Sequence, residues 1–491
     1  MARTLRIGDR AELHFVDCLE VLRALPDNTI DSVVTDAPYG LGEPPDIVEV
    51  LECWLAGKPW KAKGGGFMGH EWDRFVPGPE VWRECLRVLK PGGHALVFAG
   101  TRTVDVMGLA LRLAGFEIRD ELDYLYGSGM PKSLNVSKAI DAAAGAERTG
   151  GFVARKAPGG GIGMGLNAQC DRCEKWKLAS DPCRCVDSGP ATEAAKQWDG
   201  WGTALKPAKE PIILCRKPLP GTVAANVQEW GTGGINVDDC RVASGPDYAQ
   251  KCASAVGYTS KRTTNVYDKW EGVRSDSYSP LGRWPANVIL DSEAAALLDT
   301  QSGSRPGMSS GGKHRERRQT IAGGGHDGNE THLRGDDGGA SRFFFTAKTS
   351  KAERHEGCHY LPRTKNDRKR WRQDMAETWG PRALNIHPTV KPINDGEREP
   401  GLMRWLCRLV TPPGGVVLDP FMGSGSTGCA AMLEGFRFIG CELEGRSFFT
   451  AAARIRHFNE VSQGAPRRRQ PPVRKGSGAA QMALFALEGT A

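Results

Sequence analysis

At 491 residues, 40% of them hydrophobic and 25% charged, the chain has the composition of an ordinary water-soluble protein and the length for two or three domains. No apolar run is long enough to span a bilayer, and "MARTLRIGDRAELHF" has no apolar leader, so a cytoplasmic protein is expected rather than a membrane or secreted one. The net charge of +7 is modest but concentrated in "KHRERR" (313–318), "RTKNDRKRWR" (363–372) and "PRRRQPPVRK" (466–475), which favours a polyanionic partner.

In chain order, residues 5–145 read strand (12–16), helix (18–25), strand (31–35), helix (79–90), strand (94–99), helix (103–114) and strand (117–126). Such alternation predicts parallel strands joined by crossover helices. The third of these segments opens directly onto "TDAPYG" (35–40), an acid, a proline and an aromatic ring at the tip of an apolar strand. Asp and Pro commonly end strands because both favour turns, so the motif acquires meaning only from the rest of the chain.

Residues 146–380 read as an irregular insertion, Gly/Pro-rich, with a Gly/Ser/charged segment at 301–340 that cannot nucleate a core. Inside it, "CDRCEKWKLASDPCRC" places Cys170, Cys173, Cys183 and Cys185 within sixteen residues, a donor set suited to a structural zinc ion with all four positions filled by thiolate. The other cysteines are scattered singly in apolar surroundings, Cys85, Cys407 and Cys429 among them, as reduced cysteines would be.

A second core segment, 381–463, reads helix (401–411), strand (416–419), helix (426–434), strand (436–442) and helix (446–459), followed by a Pro/Arg/Gly-rich tail at 464–491. Its "LDPFMGSGSTG" contains Gly423-x-Gly425-x-x-Gly428 between a strand and a helix, with Glu442 nineteen residues after Gly423. On spacing alone this satisfies a dinucleotide fingerprint, so a nicotinamide oxidoreductase is a rival reading. Only one helix and a polar tail follow Glu442, however, so the remaining strands must come from the N-terminal core.

With both motifs in view, the chain resembles the amino-group DNA methyltransferases. "TDAPYG" is similar to their catalytic tetrapeptide, "LDPFMGSGSTG" to their S-adenosylmethionine loop, and "HPTVKP" (387–392) to the motif ahead of that loop. Catalytic motif first and cofactor loop last resembles the β-class permutation. "YGSGMPKSLNVSKAID", "GWGTALKPAKEPIILCRKPL", "RWPANVIL" and "SRFFFTAKTSKAER" further resemble phage and prophage adenine methyltransferases.

The resemblance implies a Rossmann-like α/β fold with permuted motif order, cut into an N-terminal half (1–145), an inserted target-recognition region (146–380) and a C-terminal half (381–463). It implies that the Asp36 carboxylate and the Ala37 carbonyl accept hydrogen bonds from an exocyclic amine of double-stranded DNA, that Pro38 stiffens the turn and that Tyr39 stacks on the base. The family more often has proline where Ala37 stands, so the turn here has more freedom. For the cofactor it implies Asp419, Phe421, Gly423, Gly425, Ser426 and Thr427 in the loop, Glu442 at the ribose, Asp17 near the adenine, and His387, Thr389 and Lys391 near the methionine end. Asp17 reads equally well as a helix cap. Asp at position 36 favours adenine N6 over the alternative, cytosine N4; a non-catalytic DNA-binding relic is disfavoured by intact Asp36 and Tyr39. In the tail, "QMALF" resembles the Gln-x-x-Leu-Phe peptide that holds the bacterial sliding clamp, with Gln481, Leu484 and Phe485 at the matching positions.

Overall fold

The computed structural model describes residues 3–61, 71–129, 133–146, 148, 168–169, 176–177, 189–244, 278–279, 281–304, 338–347 and 401–465. The chain divides into two compact units, Met1–Gly127 with Lys209–Ala491, and Ser128–Ala208. His387, Thr389, Lys391, the four clustered cysteines, Gln481, Leu484 and Phe485 lie outside the described residues.

Strands β1 (Arg3–Ile7), β2 (Ala11–Phe15), β3 (Ile30–Thr35), β4 (Leu89–Phe98) and β5 (Glu117–Leu125) come first. The two-residue β6 (Ala168–Gln169) and β7 (Trp176–Lys177) pair with each other. β8 (Lys209–Arg216) follows, then the short pair β9 (Tyr278–Ser279) and β10 (Gly282–Arg283). β11 (Val288–Asp291), β12 (Phe345–Ala347), β13 (Val416–Asp419) and β14 (Arg437–Glu442) complete the series.

The larger unit is built on one sheet in the order β1-β2-β14-β13-β3-β4-β8-β5-β11-β12. From β2 to β4 every pairing is parallel. β8 runs antiparallel to both β4 and β5. All six residues of β3 are buried, as expected of a parallel strand covered on both faces.

The two-residue period of the strands sorts their side chains between two cores. Val34, Leu96, Phe98 and Val417 face the helices Leu402–Val410, Ser426–Glu434 and Gly445–Ser462. Val33, Ala95, Val97 and Leu418 face the helices Cys18–Ala24, Pro79–Val88 and Val104–Ala114. The expected helices and strands of both core segments are present to within a few residues, and Cys85, Cys407 and Cys429 are buried thiols outside any disulfide.

The stretch read as an irregular insertion differs. Its residues Lys209–Arg216 form a strand inside the main sheet, and Val288–Asp291 and Phe345–Ala347 extend the sheet at one edge. The physical reason is local: "PIILC" is an apolar run, buried from Pro211 to Cys215, between two turn-rich stretches whose composition masks it.

The smaller unit packs the helices Val136–Ala143 and Glu193–Gln197 around Asp141. That buried carboxylate accepts hydrogen bonds from the Ala191 and Thr192 amides, the Thr192 hydroxyl and the Arg148 guanidinium.

Candidate active site

The chain leaves β13 toward β14 on one side and leaves β3 toward β4 on the other, so the strand order reverses between β13 and β3. The carboxyl ends of strands at such a reversal form a natural ligand crevice. Here those ends carry Asp419 and Thr35. They are joined directly: Thr35 Oγ1 donates to Asp419 Oδ1 at 2.6 Å, with both residues buried. A further tie joins the same strands, from the Val416 amide to Asp31 Oδ2 at 2.7 Å, and the hydroxyls of Ser32 and Thr411, 2.8 Å apart, fasten β3 to the end of the helix Leu402–Val410.

Beyond Thr35 the chain exposes Asp36, Pro38 and Tyr39 in part and buries Ala37. The loop is held from several sides. Thr103 Oγ1 donates to the Tyr39 carbonyl at 2.6 Å, and the Gly40 amide donates to buried Asp73 Oδ1 at 2.9 Å. Gly40 has φ +67°, and a Cβ there would stand 2.9 Å from the Val76 amide nitrogen, so only glycine fits. The Tyr39 hydroxyl donates to Glu210 Oε2 at 3.4 Å, with the Asp36 carboxylate also beside it. Burial, followed by the charges of Asp36 and Glu210, raises its pKa well above the usual 10, so it remains a donor.

On the other strand end, Asp419 also accepts from the Phe421 amide at 3.1 Å and from Thr427; burial lifts its pKa to about 6 against these bonds. Gly423, with φ +53°, donates its amide to Glu442 Oε2 at 2.7 Å, and Glu444 donates to Oε1 at 2.7 Å. Burial raises the Glu442 pKa to about 8, with the backbone donors opposing it. Gly425, at φ +79°, caps the helix Ser426–Glu434, and a Cβ on it would stand 2.8 Å from Ala451 Cα. A Cβ on Gly428 would overlap Ile455 and stand 2.7 Å from Phe438. The glycines thus divide their work: the last two allow close helix packing, while the space beside Gly423 stays open, with the Phe421 carbonyl oxygen 3.9 Å from where a Cβ would stand. An open loop face next to a buried carboxylate suits a nucleoside bearing a ribose diol, so the residues present fit S-adenosylmethionine.

Asp17 is exposed and caps the helix Cys18–Ala24, accepting the Leu19 amide at 2.9 Å. It stands just past the end of β2, whose Phe15 is in register with Glu442. Asp36, Ala37, Pro38 and Tyr39 therefore share one sheet edge with Asp419, Phe421, Gly423, Gly425, Ser426, Thr427, Glu442 and Asp17. Among the described residues no group of three or more His, Cys, Asp or Glu is arranged to hold a metal ion.

Three participants carry no motif of their own. Thr35 precedes the tetrapeptide, Asp73 lies in "HEWDRF", and Glu210 lies in "KPAKEPIIL". Glu210 reaches the site because an antiparallel strand presents its start, not its end, at the carboxyl edge of its parallel neighbours.

Sheet order, reversal point and glycine loop define a Rossmann-like α/β protein. The chain belongs to the N6_N4_Mtase family, described as DNA methylase, whose profile matches residues 30–452. It is 38% identical over 80 residues to the type II methyltransferase M.BglI of Bacillus subtilis, a match covering 16% of this chain and 23% of that protein. The matched segments span less than a quarter of the length of the curated relatives. Solved structures with similarity include an M1.HpyAVI–SAM complex (12% identity, TM-score 0.32, covering 90% of this chain and 99% of that one). Another is PvuII DNA methyltransferase, cytosine-N4-specific (12%, TM-score 0.36, 93% and 94%).

Proposed function

We propose that the protein transfers a methyl group from S-adenosylmethionine to the N6 amine of adenine in double-stranded DNA. The observation that carries this reading is the 2.6 Å Thr35–Asp419 hydrogen bond, which ties the tip bearing Asp36 to the glycine loop across the reversal point of the sheet.

An exocyclic amine is a weak nucleophile because its lone pair is delocalised into the ring. The Asp36 carboxylate and the Ala37 carbonyl, accepting its two hydrogens, draw the nitrogen toward tetrahedral geometry and free the lone pair. Pro38 fixes its own φ and so limits the turn. Tyr39 offers a stacking face to a base flipped out of the duplex, since a paired base cannot reach a strand tip. Asp36 is also placed to accept the proton the amine loses. Glu442 would hold the ribose hydroxyls, with Asp17 near the adenine; Asp419, Phe421, Gly423, Gly425, Ser426 and Thr427 would surround the rest, with His387, Thr389 and Lys391 toward the methionine end. When bound, S-adenosylmethionine supplies an electrophilic methyl on a sulfonium.

The same reading gives Cys170, Cys173, Cys183 and Cys185 a structural zinc ion and makes Gln481, Leu484 and Phe485 a sliding-clamp ligand. The test is incubation of the purified protein with S-adenosylmethionine and duplex DNA of mixed sequence, followed by nucleoside mass spectrometry. N6-methyladenine is expected; N4-methylcytosine would move the target base, and absence of any methylated base would overturn the activity.

A further inference from the structure

Tyr39 has one hydroxyl hydrogen and two carboxylates beside it; the hydrogen is donated to Glu210, and Asp36 is the competing acceptor. One of these, under the proposed function on which this inference rests, must also accept a hydrogen from the target amine. A hydroxyl donated into Asp36 occupies one of its acceptor sites and withdraws charge from the oxygens that polarise the amine. Glu210 offers that hydroxyl another partner.

We propose that Glu210 is a positioning residue that holds the Tyr39 hydroxyl away from Asp36, leaving the full charge of Asp36 to the amine. Its place in the fold is secure. Ala99, just past β4, donates its amide to the Pro211 carbonyl at 3.0 Å, and Glu210 is in register with Tyr124 of β5, so the start of β8 is anchored on both sides. Lys209 beside it is paired with Glu121 at 3.2 Å and Asp123 at 2.7 Å, on the neighbouring strand. The 3.4 Å separation from the Tyr39 hydroxyl is long, as catalytic-site bonds often are before the substrate is seated. The stretch containing Glu210 is one of those that resemble the family, yet the methyl-transfer scheme above gives it no role.

The proposal makes a non-additive prediction. Glu210→Gln keeps the shape but offers only a neutral acceptor, so the hydroxyl turns to Asp36, and single-turnover methyl transfer at saturating cofactor should slow about tenfold. Tyr39→Phe keeps the ring, removes the hydroxyl and should slow transfer only a few-fold. With the hydroxyl gone Glu210 has nothing to divert, so Tyr39→Phe with Glu210→Gln should match Tyr39→Phe alone. The double variant carries any folding cost of the Glu210 change, so its recovery cannot come from restored folding. Glu210→Gln at the wild-type rate, or losses that multiply in the double variant, would overturn the role of Glu210 while leaving the methyltransferase reading intact. A wild-type protein that methylates nothing, by contrast, removes the reading itself.

Discussion

Glu442→Gln separates the demands of folding from those of cofactor binding. Burial raises the Glu442 pKa from the ordinary 4.5 to about 8, although Gly423 and Glu444 donate to both oxygens. For an acid shifted upward, the folded chain holds a proton that the unfolded chain has lost, throughout the window from 4.5 to about 8. Below that window the group costs nothing, within it stability falls as pH rises, and above it the cost is complete. At about 1.36 kcal/mol per pH unit, the penalty reached at pH 7 is about 3 kcal/mol. Glutamine never ionises and escapes it, but its single oxygen forgoes one backbone hydrogen bond, about 1 kcal/mol. The variant should therefore be more stable than wild type by about 2 kcal/mol at pH 7, and the two should converge near pH 5. Urea denaturation of the full chain without cofactor, in half-unit steps from pH 5 to 8.5, measures this gap. A gap that does not change with pH would refute the reasoning. Calorimetry on the same variant at a pH above 8, where the Glu442 carboxylate is ionised, should show S-adenosylmethionine binding weakened by about tenfold or more, because a charge-assisted contact to the ribose is lost.

Asp36→Ala should abolish methyl transfer while calorimetric cofactor affinity stays within about threefold of wild type, since the carboxylate acts on the base; retained transfer would remove Asp36 from its role. Asp73→Ala leaves the Gly40 amide without its acceptor and should lower kcat about tenfold, with little change in cofactor affinity; an unchanged kcat would show that the loop holds its shape unaided. Gly428→Ala forces a methyl group onto Ile455 and should destabilise the fold by about 1–3 kcal/mol, read as a lower urea midpoint. Elemental analysis of protein purified without chelator should find one zinc per chain, lost in Cys170→Ser with Cys183→Ser; metal-free wild type would leave four ordinary thiols.

The core segments were legible because their periodicity is local. Ile30–Thr35, Val416–Asp419 and the helix Ser426–Glu434 announce themselves within a dozen residues, through apolar runs, a capping glycine and an acid at the strand tip. The helix Pro79–Val88 ends two residues before the expected boundary, where Leu89 already begins β4. Lys209–Arg216 was hidden for a different reason: a strand's sequence does not say which sheet it joins, and its partners Phe98 and Leu122 are far away along the chain. Asp73 and Glu210 were invisible as site residues because one meets a backbone amide and the other a hydroxyl across the sheet, contacts that leave no spacing signature. Asp17 had two equal readings, and the capping bond to Leu19 is the one the geometry displays.

The bond between Thr35 and Asp419 spans 384 positions of sequence. At ribosomal speeds of about 5–20 residues per second, the second partner is made about 20–80 s after the first. Throughout that interval β3, whose six residues are all buried in the finished protein, has a bare edge where β13 will later pair. The nascent N-terminal half is thus an incomplete sheet with an apolar, unsealed seam, a species inclined to self-association. The permuted order therefore sets a clock as well as a topology: the crevice cannot close until the chain has been synthesised through Glu442, the last of its strand ends.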